Sequence, residues 1–138
     1  MKRLLCLAAL AVMTTSAFAQ RAPRTLEFAS DFQTVPVMAN TTGAGGATFQ
    51  TYVALLNPTS SSYFVTASLY DAAGVQHDQL IQLAAGELKT YTNFLDTVFH
   101  ATGGGAVTFR TPNSSNRFVL NTEIRTADSH YGTSVPAL

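Results

Sequence analysis

The chain has 138 residues, with eight Lys and Arg against eight Asp and Glu, three His and one Cys. A formal net charge of zero and 12% charged residues exclude the clustered basic surface that a polyanion needs, so neither nucleic acid nor anionic lipid is an expected partner. The length suits a single domain.

Residues 1–19 read as a secretory signal. Lys2 and Arg3 give a positive start, Leu4 to Met13 a short apolar run, and Ala17-Phe18-Ala19 a small-x-small site with cleavage expected before Gln20. The run falls well below the roughly 20 residues that cross a bilayer, and no later segment approaches that length, so no membrane span is expected. The expected location is outside the cytoplasm, periplasmic or extracellular. Cys6 lies inside the signal, leaving about 119 residues without a thiol, hence without a disulfide framework or a thiolate metal site. Their six basic residues, Arg21, Arg24, Lys89, Arg110, Arg117 and Arg125, are scattered.

Residues 20–30 are polar, carry Pro23 and lack periodicity, which predicts a loose leader ahead of a domain at 31–138. Val35-Pro36-Val37-Met38-Ala39 is the first expected strand; its proline restricts it to an edge, a strand start or a bulge. A loop at Thr41 to Gly46 ends it. Phe49 to Leu56 reads as a central strand because Val53-Ala54-Leu55-Leu56 is apolar on both faces. Its expected hairpin partner is Tyr63 to Tyr70, where Val65, Ala67 and Leu69 alternate with polar neighbours and with Tyr70. Asn57-Pro58-Thr59-Ser60-Ser61 supplies the punctuation between them, and Asp71-Ala72-Ala73-Gly74 the next turn.

Gln79 to Leu83 follows, with Ile81 and Leu83 on one face, then a turn at Ala84-Ala85-Gly86-Glu87 into Leu88 to Thr92. Leu95, Val98 and Phe99 predict a short helix, capped by Thr92 or Asn93 and plugging one end of the core. Gly103-Gly104-Gly105 reads as turn material releasing the chain into Ala106 to Arg110. In Arg117 to Arg125, Phe118, Leu120, Thr122 and Ile124 share one face against Val119, Asn121, Glu123 and Arg125. Gly132 to Pro136 is the last expected strand. Seven or eight strands at this spacing, uneven in length and interrupted by a helix, favour an antiparallel sandwich over a closed barrel, with Leu55, Leu69, Phe109, Leu120 and Ile124 in one core.

The order of these motifs resembles a recurrent immunoglobulin-like β-sandwich module of secreted bacterial proteins. The segments that carry the resemblance are Asn57-Pro58-Thr59-Ser60-Ser61, Val65 to Gly74, Leu83-Ala84-Ala85-Gly86, the helix Phe94 to Phe99, Gly-Gly-Ala-Val and the closing Val135-Pro136. It implies an Ig-like β-sandwich of seven to eight strands with one short helix over Val35 to Pro136, and it assigns no functional residue.

No residue set supplies a catalytic constellation. Asp96 and His100 stand at i, i+4 without a third group nearby. Asp128-Ser129-His130 contains the residue types of a serine hydrolase, but no Gly-x-Ser-x-Gly elbow accompanies it, and the residues fit a turn. His77-Asp78 fits a turn equally. A His-rich metal site would require all three histidine-bearing loops to converge. Catalytic residues, metal and cofactor are therefore expected to be none. Tyr52, Tyr70 and Tyr91 are the candidate contacts for a ligand or partner. The reading is a secreted, non-enzymatic structural or protein-interaction module, contacting an extracellular or cell-surface protein, or itself, through sheet edges. The alternative is a small-ligand or carbohydrate-binding module using exposed tyrosines.

Overall fold

The computed structural model describes residues 29–128 and 130–138. The expected signal, and the leader up to residue 28, lie outside the described residues. Ala29 and Ser30, the end of that leader, already belong to the packed body: Ala29 is buried and Ser30 bridges Phe118.

Among the described residues, eight strands and one short α-helix run in the order β1 (Phe32–Thr42), β2 (Thr48–Leu56), β3 (Tyr63–Asp71), β4 (Gln76–Leu83), β5 (Leu88–Tyr91), α1 (Phe94–Phe99), β6 (Gly103–Arg110), β7 (Val119–Thr126) and β8 (Gly132–Ser134), with a single 3-10 turn at Ala44–Gly46 between β1 and β2. All strand pairs are antiparallel, and they form one hydrogen-bonded path, β4-β3-β6-β1-β2-β7-β8, with β5 on the free side of β2. No pairing among the described residues joins β4 to β8, so this path does not close into a barrel. Buried side chains from β1 to β4 and β6, with Phe94 and Leu95 of α1, Phe118 and Val135, make one continuous core.

β1 joins the two halves of that path. Its register on β6 shifts between Val35 and Met38, so the Pro36-Val37 segment forms a bulge. The shift puts Val35 and Met38, three residues apart, both inward and fully buried, where a regular strand would have turned one of them out. Pro36 thus occupies a bulge in an interior strand. The glycines before Ala106, read from the sequence as turn material, belong to β6 instead. A Cβ at Gly105 would run into the Tyr70 carbonyl and one at Gly104 into the Met38 carbonyl, so bare backbone is what lets β6 lie between β3 and β1.

The expected β2–β3 hairpin does not form. β2 has β7 on one side and β5, with the end of β1, on the other, so β3 crosses to the opposite half and pairs with β4 and β6. Asn57 holds the crossover. Its fully buried carboxamide donates to Ser61 O and Ala84 O, both at 2.8 Å, and accepts from Thr59 N at 2.9 Å and Thr59 Oγ1 at 2.8 Å. Asp71 to Gly74, by contrast, is a true hairpin turn, with Gly74 at φ +77°.

The helix forms where the 3.6-residue pattern places it. Asn93 caps it, Phe94 and Leu95 are buried, and the Phe94 ring meets Tyr91, Phe99 and Phe109. Of the five expected core residues, Leu55, Leu69 and Phe109 are buried, while Leu120 and Ile124 pack against the core from its margin. The fully buried member of that segment is Phe118. Phe118→Ala is expected to cost about 3–5 kcal/mol and Leu120→Ala under about 2 kcal/mol in urea unfolding; equal costs would contradict this placement.

Candidate functional site

Two features stand apart from the packed body: a cavity at the helix end of the core, and the free edge formed by β4. The cavity, about 290 Å³, lies between the ends of β3 and β4 and the residues from α1 to β6. Leu69, Leu95 and Phe99 give it an apolar floor, and Asp71, His77, His100 and Thr102 bring polar groups to its wall. Two of the three histidines therefore converge although they are far apart in sequence. His100 reaches the wall because it ends α1 in the left-handed region, φ 52°, a position glycine usually fills.

Asp71 is a turn device. Its Oδ1 accepts from Ala73 N and Val75 N, both at 2.9 Å, and its Oδ2 lies 3.1 Å from His77 Nε2. The bond from Val75, then the His77 side chain, hold its carboxyl below the usual carboxylate range. Such a carboxylate–imidazole pair is the orienting part of a triad. Among the described residues, however, neither His77 nor His100 hydrogen-bonds a hydroxyl or thiol, and no group of three His, Cys, Asp or Glu is placed to hold a metal.

Asp128 repeats the arrangement between β7 and β8. One carboxylate oxygen accepts from Thr126 Oγ1 and from His130 N, and the other lies 2.9 Å from His130 Nδ1. Thr126, then His130, keep this carboxyl ionised well below the usual range. Ser129 lies outside the described residues. Asp96 and His100 share their helix, but their link is the backbone bond from His100 N to Asp96 O.

The three candidate tyrosines do not converge. Tyr52 sits on the outer face of the β5-β2-β7-β8 half, half-buried beneath Arg125, whose guanidinium carbon is 4.2 Å from the ring centroid. Tyr70 is exposed on the outer face of the other half, beside a shallow groove with Phe32 and Arg110. Tyr91 pairs with the buried Val53, so it points to the core and packs edge-on against Phe94, centroids 5.2 Å apart. Burial, then Glu87, raises its phenol above the usual range.

β4 is the feature that residue patterns left unmarked. Among the described residues it pairs only with β3, along eight consecutive residue pairs without a register shift. Ile81 and Leu83 point to the core, while Leu80 is 67% exposed on the opposite face, diagonal to Phe64 at 48%. Phe32 lies in the same row as Leu80, across Thr66 and Arg110. An apolar patch thus abuts an open strand edge.

Comparison with protein-family models, with curated proteins and with solved structures finds no match to this chain.

Asp71 provides a pH test of the β3–β4 turn. Its folded pKa is lowered, so the stabilisation is present above the unfolded value, about 3.9, and is lost as pH falls through the lower folded value. Exchange protection of the Ala73 and Val75 amides should therefore survive to about pH 4 and then fall. In Asp71→Ala it should be absent at neutral pH as well. Protection that ignores both changes would remove Asp71 from this role.

Proposed function

We propose that the protein is a secreted, non-enzymatic interaction module, an Ig-like β-sandwich that contacts an extracellular or cell-surface protein through a sheet edge. The observation that carries this is β4, whose outer edge pairs with no strand among the described residues, is capped only at the Gln82 carbonyl by Lys89, and borders exposed Leu80 and Phe64. An open edge offers unpaired backbone donors and acceptors to an added strand, and the adjoining side chains select it. What supports the sandwich is the single core drawn from both halves of the folded sheet.

The chemistry of the two Asp–His pairs speaks against a catalytic role. Both Asp–His pairs spend their carboxylates on turn amides or a neighbouring threonine, and neither imidazole hydrogen-bonds a hydroxyl or thiol among the described residues. A small-ligand module is the second reading. The cavity beside α1 favours it, whereas the tyrosines, two on separate outer faces and Tyr91 turned to the core, do not.

Export should remove Met1 to Ala19, which the intact mass of the exported protein decides; retention of those residues, or a lipid on Cys6, would defeat it. The exported protein should cross-link to a specific protein of the cell-surface fraction. Leu80→Lys should abolish the adduct, and Ser115→Lys, in an exposed turn, should not. An adduct indifferent to Leu80→Lys, or turnover of a small molecule that depends on His77 or His130, would overturn the reading.

A further inference from the structure

The geometry points to a second copy of this chain as an occupant of the β4 edge, paired antiparallel with it about a two-fold axis at Leu80. This rests on the interaction-module reading and names its partner. The direction of the free backbone groups follows from the hairpin. Asp71 N donates to Val75 O at its mouth, so alternation makes the odd-numbered residues of β4 bond β3. The N–H and C=O groups of Gln76, Asp78, Leu80 and Gln82 then face away from β3. Lys89 agrees, since its ammonium reaches the Gln82 carbonyl at 2.7 Å from β5, which leaves that carbonyl one further lone pair for a paired strand.

Edge strands are commonly blunted by Lys, Pro, a bulge or shortness. β5 and β8 are short, four and three residues, and β5 carries Lys89. β4 has eight residues, no Lys, Arg or Pro, and no bulge. Its even-numbered side chains, Gln76, Asp78, Leu80 and Gln82, form the outer row.

Self-pairing selects a register. Centred on Asp78, it would set two carboxylates opposite each other, which is unfavourable. Centred on Gln79, it would set Asp78 against Leu80. Centred on Leu80, it sets Leu80 against its own copy and Asp78 against Gln82, and it lines Phe64 and Leu80 of both copies along one diagonal apolar strip on the outer face. The two-fold makes the same patch complementary to itself. Loss of Lys2 and Arg3 with the expected signal leaves six basic against eight acidic residues, a net charge of −2 that sets little long-range repulsion between copies.

Sedimentation equilibrium of the purified protein tests this. The apparent mass of the wild type should rise about two-fold from dilute to concentrated samples. Leu80→Lys, which sets like charges against each other at the axis, should remain at monomer mass. So should Leu80→Pro, which removes an N–H pointing away from β3 and leaves the β3–β4 bonds intact; circular dichroism and the melting temperature confirm that each variant is folded. A wild type that stays monomeric throughout overturns the inference, and so does a dimer that survives both substitutions. A monomeric wild type that still forms the Leu80-dependent adduct with a cell-surface protein would sink self-association and leave the module reading standing.

Discussion

The bulge at Pro36-Val37 is the constraint on which the architecture depends. β1 is the strand shared by both halves of the sheet: it pairs with β6 from Phe32 to Asn40, across the bulge, and from Asn40 to Thr42 it pairs with β2 on its other side. A regular strand could not keep both Val35 and Met38 on the core side while holding β6 as its partner on either side of the Pro36-Val37 segment. Proline suits the bulge because it has no amide donor to leave unpaired. Where the ladder changes partner, the buried Thr51 hydroxyl accepts from Ala39 N at 2.7 Å, continuing the pairing beyond the backbone register. At the other end of β1, Leu138 and Thr34 exchange two backbone hydrogen bonds, each 2.8 Å.

The bent strand and the Asn57 crossover together decide where the exposed features fall. With both sides of β2 occupied, β3 must begin the opposite half, and its turn at Asp71 lays β4 down as the outermost strand. The same turn carries Asp71 and His77 to the end of the core that α1 covers, so the cavity and the open edge are neighbours. A second amide pair secures the helix there. Asn93 Nδ2 donates to Asn40 Oδ1 at 3.0 Å, and Asn40 Nδ2 donates to Ala101 O at 2.7 Å, tying the helix cap to β1.

The two Asp–His pairs illustrate how chemistry-bearing residues serve local closure. Asp71 and Asp128 each stand at the start of a hairpin turn, accept backbone amides two or more residues on, and hold a histidine with the other oxygen. Carboxylates held in this way stay ionised, which suits a fixed hydrogen-bond acceptor and does not suit a group that must pick up a proton near neutral pH. Both histidine side chains are largely exposed, so neither pair has the water-excluded setting that strengthens catalytic electrostatics.

Local order was legible in the chain. Alternation at Val65 to Tyr70 and at Phe118 to Ile124, the cap at Asn93 and the turn at Asp71 to Gly74 all depend on residues within a few positions of one another, and each forms as its pattern predicts. Partner choice was not legible. Asn57 to Ser62 has the residues of a hairpin turn, yet its amide is spent on Ala84, 27 residues away, and whether a loop returns or crosses depends on which strands already flank β2. The same holds for the glycines of β6, whose need arises from carbonyls of β1 and β3, and for Tyr91, turned inward by its pairing with β2. The β4 edge, unpaired among the described residues, is likewise a property of the assembled sheet: nothing in Gln76 to Leu83 distinguishes an edge from an interior strand, because an edge is defined by its neighbours in the sheet.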